Sequence, residues 1–382
     1  MFNKKIVIAT HSLVYGAPQA LRDYLIRYTK VSFLYISHPL FIDHTRSYYE
    51  IIEKGKIKKK STSGIRLRIT LINYFLEFIL TLKWMIMTKN TYDVFIGVDA
   101  LNAFAGIVLK KLGKTKRVIF YTIDYVPVKF TNKLLNTIYH WFDYYCLKNS
   151  DEIWNVSPRI TKGREKLKGL KRNVYINQKV VPIGIWYEKV KRVSFDRVKK
   201  HQLLFLGHLM ESAGVQLVLR LIPTIIKKIP DFHFLVVGGG EYEMSLRTLT
   251  KALKIEKHVT FTGWIKERKV LDKIMADSAL AVAIYDKKTS RNTYYADPTK
   301  LKDYLSAGLP IVLTNLPHNA KEIVKMKCGI IVDYDKRQVT KAIISLMDDE
   351  QKLNTYRQNA LSYIKNFDWK VIFDKNFLPL LQ

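Results

Sequence analysis

The sequence predicts an α/β protein made of two doubly wound, mostly parallel sheets. Three observations lead there. Short apolar runs alternate with helix-period segments along most of the chain. The alternation restarts after Val181-Pro182-Ile183-Gly184-Ile185, an apolar connection broken by proline and glycine. At 382 residues and 48% hydrophobic content, with 23 Tyr and 18 Phe, the chain can fill two cores of ordinary size. That composition excludes a disordered chain. Cys146 and Cys328 lie far apart without metal-ligand spacing, so no disulfide framework is expected and a reducing compartment is. No internal repeat or low-complexity tract points to a solenoid.

The elements follow in order. Ile6–Ala9 is a first buried strand, its apolar run too short for a signal peptide. A helix over Pro18–Arg27 opens with proline, and Val31–Ser37 is the next strand. Ile69–Thr88 reads as a long apolar helix. Asp93–Val98 is a strand, followed by a helix to Leu112 that Gly113 stops. Strand Arg117–Tyr121, helix Lys133–Leu147 and strand Glu152–Val156 come next, with Ser157-Pro158 opening another helix. In the second half, Leu203–Leu206 ends at Gly207-His208, and Gly214-Val215 begins a helical run to Lys228. Phe232–Val237 ends at Gly238-Gly239-Gly240 before the helix Met244–Leu253. Val259–Thr262 runs into Gly263-Trp264-Ile265, and Ala279–Ile284 is followed by Tyr285. In doubly wound sheets ligands gather at the carboxyl ends of the strands. The loops at His11–Gly16, Asp99 and Thr122–Asp124 occupy such ends in the first half.

The most informative stretch is Asp297 to Pro310, DPTKLKDYLSAGLP. Asp297 suits a helix cap, Pro298 the first helical position and Gly308 the left-handed stop. Lys300 and Asp303, three apart, share a helix face. A helix N-terminus beside an ammonium suits phosphates, and a carboxylate one turn on suits ribose hydroxyls. A surface Lys and Asp on an ordinary amphipathic helix is the other reading of the same letters.

This stretch resembles the P-x-K-x-x-E/D-Y-x-x-x-G-x-P element of GT-B nucleotide-sugar glycosyltransferases. The order of the strands and glycines before it is similar to the donor-binding domain of glycosyltransferase family 4. The resemblance covers about 180 residues closely and the first half loosely. It implies two Rossmann-like domains facing a central cleft, with residues 1–185 taking the acceptor and 186–366 the donor. Residues 367–382 would be a terminal helix crossing back to the first domain. It also implies that Gly263, Trp264 and Ile265 meet the nucleobase and Asp303 the ribose. Gly207, Lys300 and the helix start would meet the diphosphate, with His208, Tyr285 and Asp297 beside the donor. The sequence departs from the family at His208 and Ala213, where an Arg and a Lys are usual, and at Tyr295, where a glutamate is usual. More of the phosphate charge then falls to Lys300, and Asp297 is the nearest carboxylate to replace the glutamate. Asp333-Tyr334-Asp335 has the letters of a metal-binding pair but the position of a turn and helix cap, so no metal is expected.

Inversion at the sugar needs a general base for the acceptor hydroxyl. Asp124 is the first candidate, since it ends a buried strand in the acceptor half, as the catalytic aspartate does in some inverting membrane-associated enzymes that the chain resembles. Asp99 is second and His11 third. Each has a structural reading as well: a turn cap, a helix cap and a packed ring. Retention needs none of them as a base, and the letters leave that open.

The net charge is +31, with 31 basic against 12 acidic residues in 1–185 and 33 against 21 in 186–382. Basic runs at Lys54–Lys60, Lys110–Arg117 and Lys162–Arg172, with Arg66 and Arg68, suit an anionic membrane or nucleic acid. No nucleic-acid-binding signature is present, so no nucleic-acid partner is expected. In Ile69–Thr88, Thr70, Asn73, Glu77, Thr81 and Thr88 fall near one stripe, leaving a broad apolar face with Trp84. The helix reads either as packed on the sheet or as lying in a membrane interface, and Glu77 and Lys83 argue against a spanning helix. The expectation is a metal-independent transferase, peripheral on the cytoplasmic face of the membrane. Its donor would be a nucleotide sugar, UDP-sugar first, and its acceptor a lipid-linked or growing glycan. Lys58, Lys59, Lys60, Arg66, Arg68 and Trp84 would face the membrane, and Gly16 the acceptor. A UDP-sugar epimerase on the same fold and a non-catalytic basic adaptor are the alternatives.

Overall fold

The computed structural model describes residues 4–12, 15–39, 46–64, 70–169, 177–290 and 292–382. Arg66 and Arg68 lie outside the described residues, and so do residues 170–172 of the third basic run. The chain divides into two compact units, Met1–Ile183 joined by Trp369–Gln382, and Gly184–Asp368.

In the first unit the strands are β1 (Ile6–Ser12), β2 (Phe33–Pro39), β3 (Tyr48–Glu53), β4 (Lys56–Thr62), β5 (Tyr92–Val98), β6 (Thr115–Thr122), β7 (Glu152–Asn155) and β8 (Gln178–Val180). Among the described residues they form one sheet in the order β4-β3-β2-β1-β5-β6-β7-β8. It is parallel from β2 to β8, while β3 and β4 add an antiparallel hairpin at one edge. The central strands carry almost continuous apolar residues because helices cover both faces of a parallel sheet. Ile6 through Ala9, Phe95, Ile96 and Val118 through Tyr121 are buried accordingly. The order of strands reverses between β1 and β5, and their carboxyl ends define the switch point.

The second unit repeats the plan. Strands β9 (Lys199–Leu206), β10 (His233–Val237), β11 (Val259–Phe261), β12 (Ser278–Ala283), β13 (Ile311–Thr314) and β14 (Gly329–Val332) lie in the order β11-β10-β9-β12-β13-β14, all parallel. Its switch point is between β9 and β12. This is a GT-B-like pair of parallel-sheet α/β domains. In the first unit, the helix Trp369–Asn376 packs on the helix Ala17–Tyr24. Tyr24 lies 5.3 Å from Phe373 between ring centres and donates its hydroxyl to Asp374 at 2.7 Å.

The basic run at Lys54–Lys60 forms a hairpin: Lys54-Gly55 turns from β3 to β4, and Lys58, Lys59 and Lys60 stand on its outer strand, with Lys60 paired to Glu50 at 3.1 Å. Other basic runs are partly tied up, Lys110 by Asp151, Lys116 by Asp93, and Arg164 buried against Asp143. The long helix, Thr70–Met87, is turned opposite to the usual arrangement. Asn73, Glu77 and Thr81 are buried, while Ile72, Phe75, Ile79, Ile86 and Met87 are exposed. Trp84 is buried with the polar stripe and stacks on His38 at 6.0 Å, so it is no part of an exposed face.

Candidate functional site

Each unit carries a constellation at its switch point. In the second, β9 ends at Gly207, whose φ of 144° no residue with a Cβ adopts readily. A Cβ there would sit 2.9 Å from the Lys300 ammonium, so glycine and lysine occupy one small space. Gly238, at φ 131°, closes equally tightly: a Cβ would meet the Gly207 carbonyl. Its N–H donates to Gly263 at 3.0 Å, which brings the end of β10 against the turn before Trp264. Trp264 is 64% exposed, with its ring 5.9 Å from that of His208. His208 pairs with Glu241 at 2.9 Å in the open.

Lys300 enters from the first turn of the helix Thr299–Ser306. Its ammonium lies 4.7 Å from the centre of the Phe205 ring and 5.2 Å from that of Tyr285. Among the described residues no carboxylate forms an ion pair with it. Burial therefore pushes its pKa down to about 8. A cation held among rings without a counter-charge is costly, and an anion beside it would relieve that cost. Asp303, one turn on, is nearly buried. Burial raises its pKa, against the pull of Arg268, whose guanidinium reaches it at 2.9 Å and also holds Asp272 at 2.7 Å. Arg268 is a residue sequence reasoning missed, since it sits 35 positions from its partner. A position three residues beyond Ile265 was the available signal.

Asp297 is a correction. Pro298, not Asp297, is the N-cap of this helix. The Asp297 carboxylate is fully buried against Lys302 and 3.2 Å from His318. Burial alone would raise its pKa, but the Lys302 charge and the neighbouring His318 hold it below the ordinary value. It ties the start of the helix to the core. Asp335 caps the helix Lys336–Met347 and accepts from Gln338 N–H at 2.9 Å, the turn role read from the sequence. Among the described residues no group of three His, Cys, Asp or Glu is placed to hold a metal.

In the first unit, His11 at the end of β1, Asp99 after β5 and Asp124 after β6 line one cavity of about 440 Å³. Asp99 adopts φ 63° and accepts from the backbone N–H of Ile123 at 3.2 Å. Burial, then the neighbouring Asp124 charge, raises its pKa to about 6. Asp124 is 61% exposed and paired with Lys129 at 2.9 Å. His11 is fixed at both ring nitrogens. Asn102 Nδ2, which also donates to Val98 O, donates to His11 Nδ1, so Nε2–H donates to Glu77 at 3.0 Å. Both ring nitrogens are thus engaged, and His11 orients Glu77. The rest of the cavity is largely apolar, walled by Phe78, Phe104, Leu135 and Phe142. Gly16 caps the helix Ala17–Tyr24, its N–H donating to Gln19 Oε1 at 2.9 Å, and is not among the lining residues.

Residues 187–363 match the family model described as glycosyl transferases group 1. An uncharacterised glycosyltransferase of Haemophilus influenzae is 28% identical over 138 residues, 34% of each chain. The phosphatidyl-myo-inositol mannosyltransferase of Mycolicibacterium smegmatis is 24% identical over 172 residues, 44% of this chain and 42% of that one. The matched segment thus spans less than half the length of these two relatives. Among solved structures, Anabaena Alr3699/HepE in complex with UDP aligns with a TM-score of 0.70 at 12% identity, covering 99% of both chains. The same protein with UDP-glucose gives 0.67 at 14%, covering 98% of both. No helix of the described residues is long and apolar enough to cross a membrane.

Proposed function

We propose that this chain, a group 1 glycosyltransferase by its residues 187–363, transfers a sugar from a nucleoside diphosphate donor, UDP-sugar first, to a lipid-linked acceptor. The observation that carries the donor reading is Lys300, an ammonium without a counter-charge among the described residues, at the switch point of the second unit. A diphosphate leaves with growing negative charge, and preorganised positive groups stabilise it. Lys300 and the start of its helix supply them, in place of the basic pair absent at His208 and Ala213. Trp264 offers a face to the base, and Asp303 with Arg268 a polar partner to the ribose. The UDP complexes of the Anabaena protein support uracil as the base to test first. The group 1 match favours transfer over the epimerase and adaptor readings, and metal independence stays part of the proposal.

Inversion with Asp124 as base gives way to retention, the outcome that group 1 membership favours. In a retaining transfer from one face, the acceptor oxygen bonds to the anomeric carbon as the bond to the β-phosphate oxygen breaks. The acceptor proton passes to that departing phosphate. Asp124 and Asp99 then position the acceptor, a role that suits a carboxylate already paired with Lys129. A mannosyltransferase acting on phosphatidyl-myo-inositol among the relatives supports a lipid acceptor, and the +31 charge supports work at an anionic surface.

The test is thermal stabilisation by UDP, GDP and their sugars. UDP is expected to raise Tm in the wild type and not in Lys300→Met, which should itself melt no lower than wild type because it removes a desolvated charge. Equal UDP shifts in both proteins would remove Lys300 from the donor site, and no shift with any nucleotide would end the transferase reading.

A further inference from the structure

We propose that the cavity of the first unit holds the hydrocarbon chain of an amphiphile, and that the exposed apolar faces of the helices Thr70–Met87 and Lys133–Asn149 are where the protein meets the bilayer that supplies it. Only the claim that this amphiphile is the acceptor rests on the transferase reading. The inference starts from the reversed helix. A helix on a water-soluble domain turns its polar stripe outward. Thr70–Met87 instead buries Asn73, Glu77 and Thr81 and presents Ile72, Phe75 and Ile79, each at least 40% exposed. The burial is built. Glu77 is held by His11, and Thr81 Oγ1 donates to Glu77 O and so accepts from His38 Nε2–H at 2.8 Å.

The second helix repeats the exposure with Leu134, Ile138 and Trp141. Phe104 joins the two helices, 5.6 Å from Phe78 and 5.0 Å from Phe142 between ring centres. Two residues settle what the patch leads to. Phe75 and Ile138 are both exposed on the surface and part of the cavity lining, so the cavity opens on the apolar patch itself. The rest of the lining is apolar apart from His11, Tyr74, Asp99, Asp124, Lys129 and Tyr139. A largely apolar cavity of about 440 Å³ with a few charged groups in its wall suits a chain with a polar head. A flat protein partner or a second copy would cover the patch but leave the cavity unexplained. The excess of 31 basic over 12 acidic residues in 1–185 complements anionic lipid.

The experiment has two arms. Vesicles of phosphatidylglycerol and phosphatidylcholine with brominated acyl chains should quench tryptophan emission, and Trp141→Phe should lose most of that quenching. Ile79→Asp with Leu134→Asp changes two exposed positions outside the cavity lining and should weaken vesicle partition by about tenfold or more. In the second arm, calorimetry should detect 1-decanol binding to the wild type and none to Leu135→Trp, whose indole fills the cavity. Absence of either quenching or decanol binding overturns the proposal. So does a lipid-free dimer in sedimentation that Ile79→Asp with Leu134→Asp dissociates, since a second copy would then own the face. The UDP-induced shift in the same samples keeps the two ideas apart. Its absence with decanol binding intact sinks the transferase reading alone, and the reverse sinks this one alone.

Discussion

Lys300 and Asp99 are two residues whose protonation the fold has moved towards neutrality, in opposite directions. Burial holds the Lys300 ammonium at about 8. Its charge therefore costs folding free energy below that pH, and the cost fades as pH rises towards the ordinary lysine value. A bound diphosphate favours the charged form, so nucleotide binding must take up a proton wherever the free lysine is neutral. UDP affinity should accordingly fall by up to about tenfold per unit as pH rises above 8, and Lys300→Arg should flatten that slope. A pH-independent affinity measured by calorimetry would mean that another group neutralises the phosphates. Asp99 is the reverse case. Its pKa is raised to about 6, so stability is fullest below the ordinary aspartate value and is lost as pH climbs through 6. Asn tolerates the positive φ of this position and keeps an acceptor for Ile123 N–H. Asp99→Asn should stabilise the protein at pH 8 by up to about 3 kcal/mol and leave it unchanged at pH 4. Denaturant melts at both pH values check this, and equal gains at both would show that charge is not the cause.

At the scale of elements, the strand β4 gives the lysine run a role that composition could not suggest. It is the outer strand of its sheet among the described residues, and every residue from Lys56 to Lys60 is exposed. An uncovered edge offers unpaired N–H and C=O groups to another chain, and lysines are a common defence against that pairing. Lys58→Thr with Lys59→Thr keeps a good strand sequence and removes the defence. Light scattering should then show concentration-dependent self-association absent from the wild type. A variant that stays monomeric but loses its affinity for anionic vesicles would return the run to the membrane role first read from it. The reversed helix carries a parallel lesson. Its 3.6-residue period was legible in the letters, and so was its polar stripe, but periodicity separates two faces without saying which one points inward. The answer lay in His11 and His38, far away in sequence, which supply partners for Glu77 and Thr81.

Across the whole molecule, the alternation of strands and helices was legible because strands buried on both faces need unbroken apolar runs. The hairpin was not, because KGKIKKK shows neither apolar alternation nor burial. At the candidate sites, Lys300 and the glycine-ended strands were legible from local spacing, whereas Arg268 on Asp303 and Lys129 on Asp124 were visible only once loops had been folded together. Asp297 misled for the same reason, since a cap residue and a buried ion-pair partner look alike until His318 and Lys302 are in place. The last helix, Trp369–Asn376, belongs to the unit that the first residues begin, and the bond from Tyr24 to Asp374 spans 350 positions. During synthesis the second unit, Gly184–Asp368, therefore leaves the ribosome whole while the first still lacks Phe373 and Phe377 against Tyr24. The part of the protein translated first is the last to be sealed, and until then a chaperone has an open aromatic seam to hold.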